Sequence, residues 1–377
     1  MGDTRGPGAA FLLGANLLVL GVLTYAAVLE SRAPAFYYAS LQEDAYLEWA
    51  TFWGFLAAAA LFLVAATRQR RERRVLPWFL CGVGLFCFVV GMEEISWGQR
   101  VLGYRPPVYF LEHNFQQELN VHNVVSTSLR KLALKGSILG YGVFLPLAAL
   151  ARPLRRRLEG WAIEAPPAGL IPAFFATYYL YETYPWKFSG EVVELMLALG
   201  FVAAALAAGR ESGRRGRRRG LAAAAPVAVA GIAVLGAGIA TEMASRWTGG
   251  DDAERVEAAR METERLARDF RRSGRGGTTV SRCGVHKRVY SFLEKYDTRQ
   301  LESGAFSRLV ARGLPQERAS FFLDPWNSPY WIRDECDRRG RRREVFVYSF
   351  GPNRRRDSTD WEILGDDVGA TIVSVGG

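Results

Sequence analysis

WATFWGFLAAAALFLVAATRQRRERR, residues 49–74, sets how the rest of the chain is read. Nineteen residues without a charge run directly into five arginines. An uncharged run of about 20 residues, rising ~1.5 Å per residue, matches the ~30 Å apolar thickness of a bilayer. A basic cluster at one end of such a run marks its cytoplasmic side. Working outward, six more apolar runs fall at residues 9–29, 75–95, 133–151, 168–184, 192–208 and 220–245. The fourth and fifth of the seven are short for a span. The first reads as an uncleaved helix, since Arg5 alone precedes it and no small-x-small site leads into polar sequence.

The loops give the orientation. Arg68, Arg70, Arg71, Arg73 and Arg74 follow the second run, Arg152, Arg155, Arg156 and Arg157 the fourth, and Arg210, Arg214, Arg215, Arg217, Arg218 and Arg219 the sixth. With Arg5 these put sixteen basic residues on one side, against seven on the other, where Arg130, Lys131 and Lys135 depart from the pattern. The N-terminus is expected inside and everything after residue 245 outside the cytoplasm.

This segregation explains an otherwise ordinary composition: 377 residues, 49% hydrophobic, 12% aromatic, mean hydropathy near zero and a net charge of +10. Residues 1–245 hold 23 basic and 17 acidic side chains, leaving 25 and 21 for the rest. Neither part is basic enough to call for nucleic acid, and ten tryptophans exclude a solvated coil.

Polar residues collect at the outer ends of the runs. Glu93 and Glu94 close the third run in GMEEISWGQR, residues 91–100, and Glu182, Glu194 and Glu242 stand at comparable depth. Carboxylates there need a wet cavity or a partner. If the following loop is helical, Asn114, Glu118, His122, Ser126 and Arg130 recur every four residues and form one polar stripe. Three readings stay open. Glu118, His122 and one of Glu93 or Glu94 could ligate a divalent metal. The same groups could act as acid and base on an outer-leaflet substrate, with Arg100 and Arg105 holding an anion. Alternatively they form a packing network. The run EEISWGQR with NFQQELNVHN, residues 114–123, resembles a pairing in uncharacterised polytopic bacterial membrane proteins, which implies architecture and no activity. The aromatic cluster Phe174, Phe175, Tyr178, Tyr179, Tyr181, Tyr184 and Trp186 reads as an interfacial belt.

Beyond residue 250 the pattern is that of a folded exterior module. Residues 251–272 form a charged amphipathic helix, opened by Asp251 and Asp252 and closed by Arg271 and Arg272. A Gly-rich break at 273–277 follows, then short helices over 288–296 and near 303–312. YWIR, residues 330–333, and EVFVYS, residues 344–349, alternate as a β-hairpin, with Arg338 to Arg343 around its tip. Cys81 and Cys87 share the third run. Cys283 and Cys336 lie outside, where a disulfide is expected.

Three motifs in order, LDPWNSPY (323–330), VYSFGPN (347–353) and GDDV (365–368), resemble the C-terminal part of the major pseudopilin of type II secretion systems. The resemblance covers roughly residues 220–377. It implies a membrane helix leading into a small antiparallel sheet, and calcium bound in the loop after the Tyr-Ser-x-Gly strand. Ser349, Asn353, Asp366 and Asp367 occupy the ligand positions, with Asp357 and Asp360 as extra carboxylates. Asn353 replaces an Asp of that family, and Arg354, Arg355 and Arg356 add cations nearby. Gly220 precedes LAAAAP with Ala225 where pseudopilins carry Glu, and six apolar runs lie upstream, so the module is expected to stay tethered rather than polymerise.

The expectation is therefore an all-α seven-helix membrane domain, N-terminus in and C-terminus out, followed by a small α+β pilin-like domain. Residues 1–219 form a polytopic part, 220–250 a seventh helix and connector, and 251–377 the exterior domain. The place is a bacterial inner membrane with the C-terminal domain periplasmic or extracellular. The partners are lipid and envelope or secretion proteins, and the role is non-catalytic. The alternative is an enzyme or carrier working through Glu93, Glu94, Glu118 and His122.

Overall fold

The computed structural model describes residues 7–74, 76–211, 223–247, 252–272, 285–296, 313–336, 342–358 and 363–374. Contacts divide the chain into two units, Met1–Ile95 with Val125–Glu242, and Ser96–Val124 with Met243–Gly377. The segment joining the third and fourth apolar runs thus belongs with the C-terminal part.

The first unit is helical. Among the described residues its longer helices are α1 (Ala9–Arg32), α2 (Tyr46–Arg73), α3 (Trp78–Glu94), α4 (Thr127–Leu150, π-helical over Gly136–Phe144), α5 (Ile171–Thr183), α6 (Ser189–Glu211) and α7 (Ala225–Trp247). Helix α6 is its centre. In its apolar stretch 83% of residues are buried, against 22% in α1, α4 and α7, which leave most of their apolar side chains outward as lipid-facing helices do. Small residues permit the packing. A Cβ on Gly54 of α2 would stand 3.0 Å from the Cβ of Ala198 in α6, and one on Gly142 of α4 would meet Phe174 of α5 at 2.1 Å.

Among the described residues, five helices are long and apolar enough to cross a membrane, or six if α3 counts together with the short helix after it. This falls short of seven. The run at 168–184 yields only the 13 residues of α5, which begins beside Pro172 and stops where Tyr184 turns left-handed at φ 40°. The aromatic cluster divides too. Phe174 is buried against Tyr141 and Phe201, whereas Phe175, Tyr179 and Tyr184 are exposed.

Among its described residues the second unit holds a four-stranded antiparallel sheet in the order β1 (Val285–Arg288), β2 (Trp331–Cys336), β3 (Arg342–Ser349), β4 (Val368–Ser374). Helix α8 (Ala253–Arg272) packs on β3 and β4, and α9 (Val289–Tyr296) continues directly from β1. Alternation along the strands sorts two faces. Ile332, Val345, Val347 and Ile372 pack with Leu266, Ala267 and Phe270 of α8 and Val289, Phe292 and Leu293 of α9. Trp331, Phe346, Tyr348 and Phe350 form a second aromatic cluster. The expected hairpin is β2 and β3, with Trp331 opposite Tyr348 and Ile332 opposite Val347. Strands β1 and β4 were not anticipated. The expected helix near 303–312, the Gly-rich break and the run from Arg338 to Arg341 lie outside the described residues.

The polar stripe does not form. A short helix, Val108–His113, ends at Asn114, Gln117 adopts φ 54°, and the chain turns until Ser126 caps α4 by accepting from the Leu129 amide. Residues 114, 118 and 122 therefore do not stack one turn apart.

Candidate metal centre

The loop between β3 and β4 is closed by two glycines. Gly351 has φ +67°, and a Cβ there would stand 2.0 Å from the carbonyl oxygen of Asp366. Gly365 has φ +64°, and its Cβ would lie 2.1 Å from Oδ2 of Asp357. Only glycine fits this backbone at such approach. The result is three carboxylates in one place: one oxygen each from Asp357, Asp366 and Asp367 lies within 4.8 Å of the others.

The carboxylates are oriented by the chain itself. Asp366 Oδ2 accepts the Asn353 amide at 2.9 Å. Asp367 Oδ2 accepts the amides of Asp357 at 3.2 Å and Ser358 at 2.8 Å. Asp357 Oδ2 accepts the Asn353 side-chain amide at 3.0 Å. The second oxygens of Asp366 and Asp367 are buried and accept no hydrogen bond. Burial raises the Asp366 carboxyl to about 6 and the Asp367 carboxyl to about 7, from an ordinary 3.8. Converging, under-satisfied carboxylate oxygens in a desolvated loop form a donor set for a hard cation. Calcium takes oxygen ligands at ~2.3–2.6 Å, so oxygens across one ion stand up to roughly 5 Å apart.

Of the residues singled out from sequence, Asn353, Asp366 and Asp367 meet here, together with Asp357. Ser349 is engaged elsewhere. Its hydroxyl donates to Asp324 Oδ2 at 2.5 Å and accepts the Gly351 amide at 3.0 Å. Fully buried Asp324 knots the DPWNSPY turn, its Oδ1 accepting the Trp326 and Ser328 amides at 2.9 and 2.8 Å. Burial lifts its carboxyl to about 6. Arg354 is engaged elsewhere too: its guanidinium donates to the carbonyls of Arg100 at 2.5 Å and Val101 at 3.4 Å. Arg356 Nε donates to Ser358 O at 2.7 Å. Asp360, Cys283 and the Cys336 side chain lie outside the described residues.

Glu93 and Glu94 end α3 in the first unit, while Glu118 and His122 belong to the second. Glu118 is buried in a network. Arg100 Nη1 donates to its Oε1 at 2.9 Å, Arg288 Nη2 to the same oxygen at 3.4 Å, and Ser96 Oγ to its Oε2 at 2.7 Å. Arg288 also lies over the Trp331 ring, 4.4 Å from its centroid. Asn327 donates to Gly103 O at 3.1 Å, Gln117 to Phe321 O at 3.0 Å and Ser291 to Phe115 O at 3.1 Å. The interhelical segment is thereby sewn to the sheet domain.

Comparison with family models, curated proteins and solved structures returns no match.

Proposed function

We propose that this chain is an integral inner-membrane protein that presents a tethered, calcium-binding, pseudopilin-like domain to the periplasm, in a non-catalytic envelope or secretion role. The observation that carries the reading is the Asp357, Asp366 and Asp367 cluster, with two buried carboxylate oxygens lacking donors. The order of the three C-terminal motifs and the hairpin between the first two support the pseudopilin likeness. The topology has the N-terminus inside, seven crossings and the C-terminal domain outside. It rests on the arginine-rich alternate loops. Residues 168–183 supply the short crossing, ~24 Å at helical rise.

A non-catalytic role suits the state of Glu118. A carboxylate held by two arginines and a hydroxyl serves as an anchor for the chain, since protonating or displacing it would strand two buried cations.

The test is calcium titration of the full chain in nanodiscs, wild type beside Asp367→Asn. Saturable binding of one ion, with a raised melting midpoint lost in the variant, is expected. Absence of both refutes the calcium reading.

A further inference from the structure

The segment Ser96–Val124 is built inside out for a loop in water. Six of its polar side chains, Ser96, Gln99, Asn114, Gln117, Glu118 and Asn120, are buried, while Arg105, Glu112 and His113 are exposed. Its exposed large apolar side chains are Val101, Leu102, Val108, Tyr109, Phe115 and Val121, with Leu102 at 74%. In the rest of the second unit, among the described residues, only Met243, Met261 and Leu364 are large, apolar and exposed, and Met243 lies in α7. Such a concentration on 29 residues marks a surface made for something other than water.

Chain continuity says what covers it. The segment starts two residues after Glu94 ends α3 and stops three residues before Thr127 begins α4, so both ends emerge from apolar helices. Span ends lie at the headgroup boundary, where short helices bury one apolar side and aromatics with a polar edge collect. Tyr109 fits that place, stacked on His113 at 4.5 Å between centroids. The buried polar side chains are meanwhile supplied with partners inside the unit. Asn114 Nδ2 donates to Glu118 O at 2.6 Å and Gln99 Oε1 accepts the Leu119 amide at 2.7 Å.

We propose that Val101, Leu102, Val108, Tyr109, Phe115 and Val121 insert into the interfacial layer of the same bilayer, so that this segment fastens the sheet domain to the lipid surface. The inference rests on the membrane reading and is independent of calcium.

The test is photolabelling of the full native chain in phosphatidylethanolamine–phosphatidylglycerol nanodiscs with a lipid carrying a diazirine near its headgroup. A parallel sample receives a water-soluble diazirine, and labelled peptides are mapped. Peptides covering 101–121 should take the lipid label at levels comparable to the ends of α1 and α7. The α8 peptide containing exposed Met261 should take only the soluble label. Lipid labelling of α1 and α7 with none at 101–121 overturns the inference and leaves the membrane reading standing. So does protection of 101–121 from both reagents, the result expected if a second copy or partner protein covers it. No lipid label anywhere fails the membrane reading itself.

Discussion

Calcium binding should be strongly dependent on pH, and the metal loop sets the size of the effect. The Asp366 and Asp367 carboxyls are raised by burial to about 6 and about 7, so the metal-free loop holds protons that a cation must displace. At pH 6 the first is half protonated and the second mostly so, while at pH 8 both are ionised. Treating the two titrations as independent, the apparent dissociation constant should fall about 20-fold from pH 6 to pH 8. The sign for stability runs the opposite way without metal. Unfolded carboxyls ionise near 3.8, and the folded ones only at the raised values, so between those limits the folded state holds more protons. The metal-free melting midpoint should therefore decline as pH rises from about 4 to about 7, and saturating calcium should flatten that decline. Asp324, raised to about 6, adds to the metal-free slope but leaves affinity alone, because its oxygens are occupied by Ser349 and two amides. The assay is isothermal titration of the full chain at pH 6, 7 and 8 in two buffers of different ionisation enthalpy, which counts released protons. Asp367→Asn should lose the largest single share of the metal-free pH dependence of the melting midpoint. Saturable binding with the same affinity at all three pH values and no proton release would refute the reasoning.

Gly351→Ala should lower the melting midpoint, at a cost of about 1–3 kcal/mol, and weaken calcium at least tenfold, because its φ of +67° and the Asp366 carbonyl leave no room for a Cβ. Glu118→Ala should cost about 3–5 kcal/mol in denaturant unfolding, since Arg100 and Arg288 lose the buried acid that pairs them. Gly142→Ala should destabilise the bundle by about 1–3 kcal/mol as its methyl presses on Phe174, and Phe174→Leu should restore part of the loss if that contact is the cause. Arg354→Ala should speed tryptic cleavage after Arg100 while calcium affinity stays within about threefold, because its guanidinium serves the Arg100 and Val101 carbonyls.

How far the sequence could be read follows from the range of the interactions involved. Helix α8 was legible because its apolar positions and terminal charges are local, and the β2–β3 hairpin because strict alternation spans both strands. Strands β1 and β4 were not: Val285–Arg288 carries a histidine and two cations in four residues, and β4 places the weak strand formers Gly369 and Ala370 directly after its first residue. They become strands because β2 and β3 offer open edges. The 114–130 spacing misled for the converse reason. A four-residue recurrence of polar side chains is neutral between a helix face and a loop whose side chains turn inward, and the Asn114 amide, spent on the Glu118 and Asn120 backbone carbonyls, stabilises the loop. What decides between them is the acid at its centre. Glu118 is paired by Arg288, 170 residues further on, so the partner that makes burial tolerable belongs to another part of the chain. Sequence can mark such a carboxylate as needing a partner; it names the partner only when the two are neighbours. The metal loop stands between these cases. Asp366 and Asp367 were visible as adjacent acids, but it takes the left-handed turns at Gly351 and Gly365 to bring Asp357 and Asn353 back upon them.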